Sequence, residues 1–327
     1  MVVLEIFFDE DKVDYLPGDK VTGFVNVESD KFIDARNIII SCAGKSKVRF
    51  QKGSGRSRQT YSLTTIIIKE NIRAWEKEDK WDKVPPGCQQ YPFSFQLPKN
   101  LVPTHETPNG RIFYEIKARI DIPHWFDKKF RVAFTVLPFL DLTKLPRDFR
   151  APFQHVEESF GFFCIDNVDI KVHLNKSGFA IGELIECTVD VQSVPNREVS
   201  ALEMSFVKKM LYRAGGESKS KSETLQWAKS EIDNPSETLH YQASFRVPET
   251  ITSFDIQNFC VSYKVVVRLY INGKLWNRCV DVPFKWLKVG TIPTNARSIL
   301  PIDSTTQKAI QEHDSNQLLP FDFFEDL

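Results

Sequence analysis

The sequence has no surplus of either charge. Across 327 residues, 43 Lys and Arg stand against 43 Asp and Glu, for a formal net charge of zero. A chain built to coat nucleic acid carries excess cations, so no nucleic-acid role is expected of it. Glycine is scarce, at 14 residues, which excludes collagen-like and low-complexity classes. No apolar run approaches the roughly 18 residues of a membrane-spanning helix. The opening segment MVVLEIFF contains Glu5 and no basic leader, so no secretory signal is expected. The six cysteines (Cys42, Cys88, Cys164, Cys187, Cys260 and Cys279) never stand at C-x-x-C spacing, which removes the common zinc and redox motifs. They are expected to be free thiols in a reducing compartment, most of them small core residues. Catalytic signatures are also missing. There is no G-x-S-x-G, H-E-x-x-H or G-x-x-x-x-G-K-[ST], and His155-Val156-Glu157 has no P-C-x-x-C partner. No catalytic residue, metal site or cofactor is expected.

What the sequence does have is apolar content and repetition. Hydrophobic residues make up 42%, including 26 Phe, enough for a sizeable core, and the length suits two domains. Tyr15 to Val27 (YLPGDKVTGFVNV) aligns with Phe179 to Val191 (FAIGELIECTVDV), pairing Tyr15 with Phe179, Gly18 with Gly182 and Asp19 with Glu183. Further on, Tyr91 to Pro98 (YPFSFQLP) aligns with Tyr241 to Pro248 (YQASFRVP). Arg111 to Asp121 aligns with Val261 to Tyr270, setting Tyr114 opposite Tyr263. The matches keep their order, so the chain reads as two tandem copies of one domain type.

Each copy reads as β. Ile112, Tyr114, Ile116, Ala118 and Ile120 alternate with polar residues, a period of two that marks a strand with one wet face. Tyr263, Val265, Val267 and Leu269 repeat the pattern. Asn272-Gly273 is a hairpin signal, and Asn109-Gly110 is a similar turn before the earlier strand. Short antiparallel strands without helices imply sandwiches or barrels. The boundary between copies falls in the proline-bearing segment Leu137 to Phe153, giving domains of 1–150 and 151–290. Trp75, Trp81, Trp276 and Trp286 are expected in core or strand packing.

From Gly290 onward the composition changes. Two basic residues (Arg297, Lys308) stand against six acidic ones (Asp303, Glu312, Asp314, Asp322, Glu325, Asp326). Residues 291–327 therefore read as a flexible acidic tail, with apolar residues returning at its end in LLPFDFFEDL.

The residues Tyr15, Pro17, Gly18, Asp19, Val21 and Gly23, then YPFSFQLP, then Gly110, Arg111, Tyr114, Lys117 and Ala118, form a pattern that resembles the arrestin family, and its arrestin-domain-containing branch most. Gly182, Glu183, Phe245, Pro248 and Tyr263 carry the second copy. The resemblance covers roughly residues 2 to 290. It implies an all-β arrestin fold of two tandem immunoglobulin-like β-sandwiches. It also implies a cytoplasmic adaptor, recruited to the plasma membrane or endosomes, that selects membrane proteins for ubiquitination and endocytosis. A second reading is a fixed arrestin-fold subunit of an endosomal sorting complex, retromer-like, and a third is a redox or signalling regulator. Many relatives recruit ubiquitin ligases through PPxY motifs. Pro85-Pro86-Gly87-Cys88 lacks the tyrosine, so that partner has no motif here. Some relatives bind thioredoxin through a cysteine of the carboxy-terminal domain, but the segment Gly215 to Trp227 has none.

Two sets of residues are candidate sites. Leu318, Leu319, Phe321 and Asp322 fit the L-Φ-x-Φ-[DE] pattern of a clathrin box, and Asp314 with Leu318 and Leu319 resembles an acidic dileucine signal. An extended tail can seat alternate apolar side chains in grooves of a clathrin or adaptor partner. The same phenylalanines could instead dock back on the amino-terminal domain as a terminal strand. The second set is two basic loops. Lys45, Lys47, Arg49, Lys52, Arg56 and Arg58 surround Gly53-Ser54-Gly55, while Arg213, Lys219 and Lys221 flank Gly215-Gly216. Such cations suit acidic cytoplasmic tails of membrane proteins or anionic head groups in peripheral membrane contact. The plainer alternative is that they are solvated. Lys128, Lys129 and Arg131 read as a wet strand face.

Overall fold

In the computed structural model, which describes residues 2–123, 126–159, 168–192, 199–231, 238–271, 278–283 and 287–291, the alternating segments are strands. No α-helix occurs among the described residues, so none is long and apolar enough to cross a membrane. The amino-terminal half contains β1 (Val2–Phe8), β2 (Asp14–Tyr15), β3 (Lys20–Ser29), β4 (Asn37–Lys52), β5 (Gln59–Glu76), β6 (Gly87–Gln96), β7 (His105–Thr107), β8 (Gly110–Asp121) and β9 (Lys128–Val136). One sheet has the order β1-β3-β6; the other has the order β2-β9-β8-β4-β5, with β7 added to β8. The carboxy-terminal half contains β10 (Phe153–Ser159), β11 (Val168–Leu174), β12 (Gly178–Ala180), β13 (Leu184–Gln192), β14 (Val199–Ala214), β15 (Glu217–Glu231), β16 (Thr238–Arg246), β17 (Phe254–Asp255), β18 (Phe259–Ile271), β19 (Arg278–Pro283) and β20 (Lys288–Gly290). Its sheets have the orders β10-β11-β13-β16 and β15-β14-β18-β17, with β19 on β18 and a short parallel pair β12-β20.

Period-two patterning sets which face is buried. On β8, Ile112, Tyr114, Ile116, Ala118 and Ile120 are all fully buried, while Arg111, Phe113, Lys117 and Arg119 face outward. The inward set packs with Val21, Val25 and Val27 of the facing sheet. Fully burying one such isoleucine contributes about 1.5–3 kcal/mol. Cys42 and Cys187 lie in the two cores, and burial pushes both thiols up to about 12.

The duplication is visible atom by atom. In the first copy the backbone N–H of Leu16 donates to the Asp19 carboxylate at 3.1 Å, and Lys12 pairs with Asp19 at 3.2 Å while lying over the Tyr15 ring. In the second copy the N–H of Ala180 donates to Glu183 at 2.8 Å, and Lys176 pairs with Glu183 while lying over Phe179. Gly18 and Gly182 hold positive φ, +91° and +82°, a conformation L side chains rarely adopt. Their carbonyls accept from Gln96 and Arg246 respectively. Tyr114 donates its hydroxyl to the Val102 carbonyl at 2.6 Å, and Tyr263 donates to the Ile251 carbonyl, each twelve residues upstream. Each phenol pins the loop before its strand to the core. The lysines Lys12 and Lys176 belong to the repeat but were not part of the sequence alignment.

The strands flanking Asn272-Gly273 do pair, Ile271 opposite Arg278, with residues 272–277 outside the described set. The earlier turn differs from expectation. Thr107 pairs with Gly110, so the turn residues are Pro108 and Asn109, and Gly110 opens β8. Its missing side chain serves a close approach instead: a Cβ there would lie 2.9 Å from the Tyr212 ring of the other half. Gly110 is part of a seam within the compact unit Met1–Pro293. Asn258, fully buried, donates from Nδ2 to the carbonyls of Ser46 (2.9 Å) and Leu63 (3.1 Å). Tyr212 contacts Thr107 at 3.0 Å and stacks on Phe259, which also stacks on His105. Burial, reinforced by Lys208 and opposed by Glu223, lowers the His105 pKa to about 4, and its Nε2 is buried without a partner.

Tyr114→Phe and Tyr263→Phe each strand a buried carbonyl, and urea denaturation should show a loss of about 1–3 kcal/mol for each. His105 stays neutral when folded but protonates near 6.5 when unfolded, so the unfolded state binds more protons between those values. Its contribution is complete above pH 6.5 and is lost as pH falls toward 4, by about 3 kcal/mol. His105→Gln should flatten that part of the wild-type stability profile, and equal slopes would refute the assignment.

Candidate functional site

The outward face of β5-β4-β8-β9 gathers cations that are far apart in sequence. Alternation on β4 sends Lys45, Lys47 and Arg49 outward while Ser46, Val48 and Phe50 are buried. Antiparallel register sets Lys47 opposite Arg111, Lys45 opposite Phe113 and Ser41 opposite Lys117. On the next strand Lys117 faces Arg131, and Arg119 faces Lys129. The Lys47 ammonium and the Arg111 guanidinium both lie over the Phe113 ring, at 5.5 and 5.3 Å. Glu115 sits among them, mostly buried, and pairs with Lys45 at 3.4 Å; Glu106 at the rim lies 3.8 Å from Arg111.

The electrostatics follow from burial first and crowding second. Lys47 has a lowered pKa, first from desolvation and then from Lys45, with Arg111 and Arg131 adding to it. Lys117 is lowered by desolvation and then by Lys129 and Arg131. Both shifts mean the protein stabilises these charges less well than water does. An incoming carboxylate or phosphate would relieve that repulsion and accept charge-assisted hydrogen bonds. Phe113 supplies apolar contact in the middle of the face.

The basic loops have a different local arrangement from the one their sequence suggests. The hairpin tip bearing Lys52 meets the β14–β15 turn: Lys52 pairs with Glu217 at 2.6 Å, and Gly215 lies beside Tyr61. Arg213 is engaged by Asp255 at 2.9 Å and by the Ile256 carbonyl; Lys219 reaches Asn109 at 3.4 Å. Arg56, Arg58 and Lys221 are exposed, and Lys47 and Arg49 belong to the sheet face. The structure thus brings the two loops together, and extends the first across the sheet to Arg111, Lys117 and Arg131. Sequence reading missed those three as partners because only strand register makes them neighbours. Lys128, Lys129 and Arg131 are exposed on β9, as a wet strand face requires. Asp314, Leu318, Leu319, Phe321 and Asp322 lie outside the described residues.

The second copy repeats this charge only in part: Lys209 stands in the place of Lys45 and Arg268 in that of Arg119, but the centre of the block is lost. Counting from the aligned tyrosines, Val266 takes the place of Lys117, Leu211 that of Lys47 and Pro283 that of Arg131. That face holds a depression of about 460 Å³ lined by Glu203, Val207, Trp227 and Lys264 among others. Its glutamate is already satisfied by Tyr270 at 2.8 Å and Arg268 at 3.5 Å.

Two family models match in tandem: the arrestin (or S-antigen) N-terminal domain over residues 4–143 and the C-terminal domain over residues 166–290. The chain belongs to the arrestin family. Arrestin domain-containing protein 17 of Caenorhabditis elegans is 27% identical over 223 residues, 64% of this chain and 52% of that protein. Human arrestin domain-containing protein 1 is 24% identical over 217 residues, 65% of this chain and 48% of that protein. Mouse thioredoxin-interacting protein is 27% identical over 222 residues, 65% of this chain and 55% of that protein. This arrestin spans about half the length of the curated relatives it matches, and they place it with the arrestin-domain-containing branch.

A binding face and a stabilising face respond oppositely to charge removal. Lys117→Met should leave this arrestin unchanged or raise its stability by about 0.5 kcal/mol, because it removes repulsion. Lys45→Met should cost about 1–3 kcal/mol by leaving Glu115 without its cation. Denaturant midpoints of the two variants test the contrast.

Proposed function

We propose that this arrestin is a non-covalent adaptor whose amino-terminal sheet face holds acidic cytoplasmic tails of membrane-protein cargo. The observation that carries the reading is the cation block around Phe113, in which Lys45, Lys47, Arg111, Lys117 and Arg131 share one outward sheet face. Alternate side chains of an extended acidic peptide point the same way, about 6.6 Å apart, so every second acidic group faces the sheet, where long Lys and Arg side chains on strands about 4.8 Å apart can reach it. The exposed Arg56, Arg58 and Lys221 lie on the hairpins beside the seam and extend the positive surface that a long tail would follow.

The second half of the proposal is linkage to endocytic machinery. Leu318, Leu319, Phe321 and Asp322 would enter a clathrin or adaptor groove, with Asp314 completing a dileucine-type signal. Cargo would be held by the folded body while the acidic segment recruits the coat. Ubiquitination would depend on a ligase contact other than a PPxY motif. Thioredoxin binding, named in one relative, is not proposed, because the β14–β15 hairpin carries no cysteine.

Both halves are tested with the full chain. Fluorescence anisotropy with a labelled acidic peptide should show about tenfold or more weaker binding for Lys47→Glu/Lys117→Glu, and a wild-type affinity that falls with added salt. Equal binding by wild type and variant would remove the cargo face. Leu318→Ala/Leu319→Ala/Phe321→Ala should abolish recovery of clathrin or adaptor complexes while leaving peptide affinity unchanged.

A further inference from the structure

The end of the amino-terminal sandwich away from the seam presents large aromatic side chains to solvent. Phe32 is 64% exposed, Trp81 84% and Phe126 89%. Trp81 therefore departs from the expectation of core packing. Phe32 follows β3, Trp81 follows β5 and Phe126 precedes β9, all at one end of the sheet because Asn37 pairs with both Glu76 and Asp121 and Arg119 pairs with Lys129. Exposed aromatics of this size have a hydration cost that a folded protein usually avoids by packing them.

The loops are held in place, so the exposure is built in. Ile33 and Val84 exchange backbone hydrogen bonds at 2.9 and 3.0 Å, the Lys77 N–H donates to the Arg36 carbonyl, and the Arg36 N–H donates to the Asp121 carbonyl. Arg36 also pairs with Asp121 at 2.6 Å, and Arg119 bridges Asp121 and Asp127. The scaffold is fixed and the aromatics project from it.

Most acidic charge at this end is used internally. Asp34 pairs with Lys77, Glu76 with Arg73, and Asp121 and Asp127 with arginines. Asp82 accepts the N–H groups of Glu78 and Asp79. Among the described residues, Glu78, Asp79 and Asp82 then remain without a cation, while Lys31, Lys128 and Lys129 remain without an anion, Lys83 acts on Asp34, and Lys80 lies over the Trp81 ring. Lysines flank the rings: Lys31 precedes Phe32, Lys80 precedes Trp81, and Lys128 follows Phe126 by two residues.

We infer that this loop end is a membrane-contact surface that inserts Phe32, Trp81 and Phe126 into the interfacial region of an anionic bilayer. Aromatic rings partition into the head-group zone, and flanking lysines reach lipid phosphates from there. The polar scaffold behind the rings keeps the sandwich above the membrane. A protein groove fits less well, because three rings on three separate loops bracketed by lysines form a set of prongs with no continuous apolar floor. The surface is distinct from the cation block on the sheet face, and the inference does not depend on that block binding cargo.

The test is flotation of the full chain with phosphatidylcholine vesicles, with and without phosphatidylserine. Wild type should float with the mixed vesicles and less with phosphatidylcholine alone. Phe32→Ser/Trp81→Ser/Phe126→Ser changes only exposed positions and should lose about tenfold or more in vesicle partition with an unchanged unfolding midpoint. Brominated lipid should quench tryptophan fluorescence of the wild type, and Trp81→Phe should remove much of that quenching. Failure of wild type to float, equal flotation by the triple variant, or quenching undiminished in Trp81→Phe would each overturn the inference. Loss of a partner protein by the triple variant, with no flotation by wild type, would assign the loops to protein docking and overturn it as well. A wild type that binds the acidic peptide but does not float would leave the cargo reading standing without this one.

Discussion

Alternation with a period of two commits one face of the long sandwich strands to an apolar core, and the rest of the molecule is arranged around that commitment. On β8, slipping by one residue would exchange Ile116 and Ala118 for Lys117 and Arg119 in the core. The hydroxyl of Tyr114 holds the loop before β8 to this register through the Val102 carbonyl, and Tyr263 does the same for β18 through Ile251. With register held, the outward faces and the loop ends are the places left for chemistry.

The two copies use that freedom differently. Their shared features are the ones the core and its turns require: a lysine over an aromatic, a carboxylate accepting a turn N–H, a glycine at positive φ and a buried tyrosine. Their outward faces have diverged. The first carries Lys47, Lys117 and Arg131 where the second has Leu211, Val266 and Pro283. Like charges collected on one face cost stability; the lysine pKa values there are lowered first by desolvation and then by the neighbouring cations.

Much of the fold was legible in the sequence. The ordered matches between copies, the alternation in Ile112 to Ile120 and the proline-bearing joint suffice for two β-sandwiches. The same reading had the cations Lys47, Arg49 and Lys52 as loop residues beside a glycine pair. It did not connect them with Arg111, Lys117 and Arg131, which lie 59 to 84 residues away. It also took Asn109-Gly110 for a turn alone, where Gly110 makes room for Tyr212 from the other half. Trp81 read as packing because a tryptophan usually packs; its exposure follows from a loop held by Ile33 and Val84.

Period, turn chemistry and repetition are properties of neighbouring residues along the chain, and these the amino-acid order determined by itself: strands, an all-β class, two copies. Which side chains share a surface depends on pairing between segments joined by long connections, and on how loops from different strands end together. Only the tertiary structure decided that β4 lies between β5 and β8, and with it the collection of charge around Phe113. It decided likewise that the aromatics of three loops stand at one end. The physical reason is that hydrophobic alternation dictates what goes inside, while leaving the composition of each outward neighbourhood to strand order and register.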